Sequence, residues 1–394
     1  LKKRTPRSNF YNCLRNSSHQ FCYIPKNEET YLLAGYPWFK VRARDLFISL
    51  PGSTLAVDRG DDFEKIMDSA IPHLMDFMEE KTLKNIIKQI DDPDVLLWAI
   101  WALQQYWKEN KEAFKAKYPP FLFFVMNYIL ANKHPNLKVI KETGLVFTNG
   151  HDVAVSWMNA MLHGKPVVPR SGYLVEFNAL WYNALCFAEE IAEIMGEMEL
   201  TTLFQEKAEI VRHTFVSTFV NEAGYLYDYV DNDHSDINVR PNMIFAVSLD
   251  YSPLERNRQK SVIDYVTKEL LSNCGIRTLS PKSGNFRPHY TGSMEEKTFA
   301  YFNGMAFPWL FGPYIEAYLK VFHKSGLSLA DRIMVAMEGE MQNDCIGTIS
   351  EMYDSTPPFN GRGGFSFAMS VAELLRALKL IKAYKKEPQK GVTI

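Results

Sequence analysis

Apolar residues recur at helical spacing along almost the whole chain, and that regularity excludes most folds before any motif is considered. Phe63, Ile66, Met67, Ala70, Leu74, Phe77 and Met78 share one face of a helix expected from about residue 61 to 80, with Pro72 as a candidate kink. Asp61 and Asp62 fall in its opening turn, where negative charge suits the helix dipole. Val95, Trp98, Ala99, Ala102, Leu103, Tyr106 and Trp107 form a second apolar face. Further helices are expected near 121–132, 178–195, 200–219, 262–271, 309–322, 330–342 and 371–384, and one more within the first thirty residues. Strand signals are few. The stretch 225–230 alternates and 146–155 is mixed, so short hairpins inside loops are the most expected.

Between the helices run loops rich in Gly, Pro, Asn and aromatics, at 35–54, 144–175, 224–241, 274–308 and 343–367. Long decorated connections alternate with short ones. This suits helical hairpins arranged in a ring with the long loops at one end. No sequence repeat of fixed period is present, which disfavours a regular solenoid. No linker, charge block or low-complexity tract marks a boundary, so residues 1–394 read as a single domain. The lysine-rich stretch 382–393 reads as a solvated tail.

Bulk properties remove several classes of partner. Net charge is −2, which recommends neither nucleic acid nor an anionic membrane. No apolar run approaches the roughly 20 residues of a membrane span. The longest, 119–131, is broken by Asn127 and reads as a buried helix. Cys13, Cys22, Cys186, Cys274 and Cys345 show no CxxC or zinc-ligand spacing, and read as reduced thiols of a cytoplasmic protein. The chain opens on Leu1 rather than Met, leaving room for a preceding N-terminal domain or address signal.

The chemistry lies in the loops. Tyr36 and Trp38 precede Arg44-Asp45. Rings beside a charged pair suit a sugar subsite, where aromatics stack on a pyranose and charged groups bind its hydroxyls. Taken alone, they suit a buried salt bridge against core aromatics better. Trp157-Met158-Asn159-Ala160 is followed by Pro169-Arg170 and by Glu176, which reads either as a site carboxylate or as an Arg-paired structural acid at a helix start. Trp181 follows on the same helix. Arg240 and Asn242 are candidate donors to sugar hydroxyls or loop-ordering groups. Tyr301, Asn303 and Trp309 occupy the fourth loop, and Glu351 the fifth.

These segments, in this order over about residues 30 to 380, resemble the amylo-α-1,6-glucosidase modules of glycogen debranching enzymes. Gly35-Tyr36-Pro37-Trp38-Phe39 and Arg44-Asp45 through Phe47-Ile48-Ser49-Leu50-Pro51-Gly52 carry the first part of the likeness, and Gly347-Thr348-Ile349-Ser350-Glu351 the last. The resemblance implies an all-α fold, an (α/α)6 toroid barrel of about twelve helices similar to that of glucoamylases, and an α-glucan or glucose oligosaccharide as ligand. It implies no metal and no cofactor. It places the general base on Glu351 and the general acid on the position of Asn159. The remaining implied substrate contacts are Tyr36, Trp38, Arg44, Asp45, Trp157, Glu176, Trp181, Arg240, Asn242, Tyr301, Asn303 and Trp309.

The departures cluster at the same loops. Arg42-Ala43 stands where the family has Trp-Gly, and Phe302, Met305, Phe359 and Met369 replace polar or stacking residues. Asn159 matters most, because an amide cannot hand a proton to a leaving oxygen. Three readings stay open: an inverting hydrolase of α-1,6-linked glucose stubs, a non-hydrolysing glucan-binding or scaffold relative, and a barrel enzyme with another carbohydrate substrate.

Overall fold

The computed structural model describes residues 9–25, 29–344 and 346–386. Cys345 and the part of the expected tail beyond 386 lie outside the described residues. The protein is predominantly helical, with two- to four-stranded sheets of short strands confined to the connections.

The expected helices appear at or near their predicted bounds, among them Gly60–Met78, Val95–Glu109, Val175–Met195, Met198–Phe219 and Ala368–Lys386. The first of these runs through Pro72 as one element, and the early helix is Phe10–Gln20, capped by Asn9. Pro119–Leu130 is the buried helix read from the apolar run. No helix among the described residues is long and apolar enough to cross a membrane.

Two expected loops contain helices. Ala43–Ser53 lies inside the 35–54 stretch, and Met294–Tyr301 inside 274–308. All eleven residues of the former are buried, so it has no polar face to betray a helical period. Its Pro51 and Gly52 look like chain breakers, yet they occupy the last turn. A Cβ on Gly52 would lie 1.9 Å from the carbonyl oxygen of Ala372, so glycine is what allows this helix to approach Ala368–Lys386 so closely. The Met294–Tyr301 helix is nucleated by a reciprocal capping box between Ser293 and Glu296.

Ala43–Ser53 packs on Val95–Glu109, which packs on Val175–Met195; that helix meets the short Phe245–Ser248 turn. Phe245–Ser248 meets Phe311–Phe322, which packs on Ala368–Lys386, and Ala368–Lys386 returns to Ala43–Ser53. The contacts therefore close a circuit of six, in sequence order. The other long helices each pack on one or two members of it. Members of the circuit are buried over much of their length, and Val95–Trp107 without a break.

Short sheets join the loops at the ends of these helices. Ile276–Arg277, Ala306–Phe307, Met352–Tyr353 and Gly361–Arg362 form an antiparallel sheet with Ala306 opposite Tyr353 and Met352 opposite Arg362. Ser366–Phe367 pairs with Gly35–Tyr36. These pairings bring residues 35–45, 301–309 and 349–369 to one place.

Candidate functional site

That place is a cavity of about 40 Å³. Arg42, Arg44, Asp45, Asn159, Tyr301 and Glu351 supply its polar lining, and Trp157, Phe302, Phe307, Trp309, Phe367 and Met369 its apolar lining. Of the fourteen residues expected from sequence, the structure thus brings together Arg44, Asp45, Trp157, Asn159, Tyr301, Trp309 and Glu351. Tyr36, Trp38, Glu176, Trp181, Arg240, Asn242 and Asn303 do not line it.

Glu351 precedes the strand Met352–Tyr353 and is held at both oxygens. The Tyr301 hydroxyl donates to Oε1, and the backbone N–H of Gly364 donates to Oε2 at 2.8 Å. Gly363 adopts φ +70°, and a Cβ there would lie 2.3 Å from Oε2, so the backbone closes tightly over the carboxylate. Burial pushes the Glu351 carboxyl above its ordinary value; the Tyr301 and Gly364 hydrogen bonds and the nearby Arg42 cation pull it back, and Asp45 adds to the rise. Burial, and then the charge of Glu351, hold the Tyr301 phenol well above its usual range.

Arg44 and Asp45 are neighbours in sequence but not partners. Consecutive helical residues diverge by about 100°. Arg44 turns to helix Val95–Glu109 and its approach, where Nε and Nη2 each donate to Asp94 at 2.7 Å and Nη2 also reaches Asp92 at 2.7 Å. It touches the Val155 carbonyl at 3.4 Å, which ties the Asn159 loop to the first buried helix. Two carboxylates thus share one cation. Burial, opposed by Arg44 and reinforced by Asp94, pushes Asp92 up to about 6.

Asp45 pairs instead with Arg42, the residue preceding the helix, at 2.5 Å. The Arg42 guanidinium lies 4.5 Å from the centroid of Phe39 and 6.0 Å from that of Phe367. Burial disfavours its charge, but Asp45, and then Glu351, hold it protonated. Sequence reasoning treated Arg42 only as a missing ring. Its spacing of three from Asp45 at a helix start was the signal that an ion pair forms there.

The floor is aromatic. Trp157 packs edge-to-face against Phe302, Phe307 and Trp309, with ring centroids 5.4, 5.3 and 5.1 Å away. Its Nε1 donates to Asn242 Oδ1 at 2.7 Å, and Asn242 Nδ2 donates to Asp228 at 2.7 Å. Asp228 in turn accepts from Arg170, which also grips both oxygens of Glu176. A continuous chain therefore runs from the cavity wall at Trp157 to Glu176, deep in the core. Arg240 orders its neighbours by donating to the carbonyls of Thr278 and Phe302 and to Asn303 Oδ1. Trp181 is buried with its indole donating to the Gly144 carbonyl, Tyr36 donates to the Gln20 carbonyl, and Trp38 is 62% exposed.

A second space, a groove of about 550 Å³, lies across the segment that carries Tyr301. Arg287, His289, Phe299 and Ala300 line it, together with Leu162 of the hairpin that follows Asn159. Residues 299–300 face the groove and 301–302 the cavity.

The family model described as amylo-alpha-1,6-glucosidase matches residues 16–376. Glycogen debranching enzyme of Saccharomyces cerevisiae (strain ATCC 204508 / S288c) is 22% identical over 238 residues, covering 49% of this chain. The match spans 15% of the yeast protein's length. With the family model extending over most of the chain, the protein belongs to the amylo-alpha-1,6-glucosidase family.

Proposed function

We propose that this domain recognises a terminal glucose unit of an α-glucan and does not hydrolyse it. The observation that carries the reading is the pairing of Asn159 with Glu351 in one cavity. Inverting hydrolysis needs two carboxyl groups roughly 6.5–9.5 Å apart, one protonating the leaving oxygen and one activating water. Among the described residues, the carboxylates lining the cavity are Glu351 and Asp45, and Asp45 is tied to Arg42. Asn159 can hydrogen-bond a glycosidic oxygen but cannot protonate it.

The wider frame is consistent with this. We read the closed circuit of six helices as the inner ring of an (α/α)6 barrel formed by one domain, with the cavity at its loop end. The glucan ligand follows from the family and from the debranching activity named for the yeast relative. The groove beside Phe299 has the volume for further sugar units, since small-molecule sites run to roughly 300–1,000 Å³.

A working glucosidase is the second reading, favoured by the intact and doubly hydrogen-bonded Glu351. Glucose release from a branched limit dextrin separates the two. The expected result is no release above the blank. Release by the wild type that Glu351→Gln abolishes would sink the non-hydrolytic reading.

A further inference from the structure

Arg42 makes, from within the chain, the contacts a bound sugar would otherwise need. A pyranose in such a site requires an aromatic face to stack on and a carboxylate to accept its hydroxyls. The Phe39 face is taken by the Arg42 guanidinium at 4.5 Å, and Asp45 by its Nη2 at 2.5 Å. The space left beside them is about 40 Å³, enough for a few waters but well short of the roughly 300 Å³ at the lower end of small-molecule sites. A planar, delocalised cation suits this position, because it stacks on a ring and forks toward a carboxylate at once. Its Nε has no hydrogen-bond partner, so the fit is incomplete and the side chain is not locked as Arg44 is.

We infer that Arg42 is an internal occupant of the sugar site, and that glucose-unit binding requires its guanidinium to leave Phe39 and Asp45. The inference rests on the carbohydrate reading of the cavity. It adds a residue that sets affinity independently of Asn159.

Isothermal titration with isomaltose, on wild type and Arg42→Ala, tests it, with thermal melts to show that the variant is folded. Should Asp45 left alone destabilise the variant, Arg42→Ala/Asp45→Asn leaves the cavity's net charge as in the wild type and keeps an amide oxygen at position 45 to accept a sugar hydroxyl. The expected result is isomaltose binding roughly tenfold or more tighter in Arg42→Ala than in the wild type. Millimolar guanidinium chloride should weaken that binding and raise the variant's melting temperature relative to equal sodium chloride, and should do neither in the wild type. Equal isomaltose affinity in the two proteins overturns the inference and leaves the carbohydrate reading standing. A folded variant that binds guanidinium but not isomaltose overturns the carbohydrate reading. One that binds neither overturns the inference.

Discussion

The phenol of Tyr301 donates its hydrogen bond to Glu351, and the bond is stronger to the ionised carboxylate than to the protonated acid. Burial raises Glu351, so the folded state keeps its proton above the pH at which the unfolded chain releases it. Stability from this group therefore falls as pH rises through the window between the ordinary and the raised value. Tyr301→Phe removes a hydrogen bond that lowers the Glu351 pKa, so that window extends further upward. The variant should lose about 1.5–3 kcal/mol at pH 8 and markedly less near pH 4. Urea melts at both pH values check this. Equal losses at the two pH values would mean that ionisation of Glu351 does not strengthen the bond.

Restoring the acid should restore turnover only in molecules from which Arg42 has withdrawn. Asn159→Asp is expected to release glucose from limit dextrin above the wild type, by on the order of 10²-fold at saturating substrate, the usual scale of a general acid. Adding Arg42→Ala should raise release at limiting substrate by roughly a further tenfold, matching its gain in affinity. Adding Glu351→Gln should remove that gain. An unchanged kcat/KM on adding Arg42→Ala to Asn159→Asp would contradict the role given to Arg42.

Asp92 shares Arg44 with Asp94 and is pushed up to about 6 from an ordinary value of 3.8. The folded state holds the extra proton between these values, so stability should fall as pH rises from about 4 to 6. One pKa unit is about 1.4 kcal/mol, which puts the span on the order of 2–3 kcal/mol. Asp92→Asn should flatten this slope and gain on the wild type at pH 7.5 relative to pH 4. Parallel stability curves for the two proteins would count against it.

Glu176 is an anchor for Arg170 within a buried network and not a lining residue. Glu176→Gln leaves a buried guanidinium short of charge and should cost about 3–5 kcal/mol in chemical denaturation. A loss within about 0.5 kcal/mol, as for an exposed substitution, would reopen a ligand-binding role.

The helices most legible in the sequence are those with one wet face, such as Gly60–Met78, whose apolar residues stand out against charged neighbours. Ala43–Ser53 was hidden by the opposite condition. A helix packed on every side has no period to display, and Pro51-Gly52 adds a false stop. Part of the site was legible for a similar reason. Glu351, Asn159 and Trp157 lie on loops whose flanking residues are themselves informative. Arg44 was legible as a residue but not in its partnership, because Asp92 and Asp94 lie 48 and 50 positions away and sequence adjacency pointed to Asp45. Asn242 and Arg240 look like sugar donors by type. Only their geometry shows that one steadies Trp157 while the other orders the Tyr301 segment.

Arg42 and Asp45 are three residues apart on a single chain, and this sets the terms on which any free ligand competes. A tethered group presents an effective concentration on the order of millimolar or higher, which dilution of the protein cannot reduce. A free glucan end binds only the fraction of molecules in which Arg42 has left the site, so its apparent affinity is lowered by that fraction. Occupancy still rises along a simple saturation curve, with its midpoint moved to a higher concentration of chain ends.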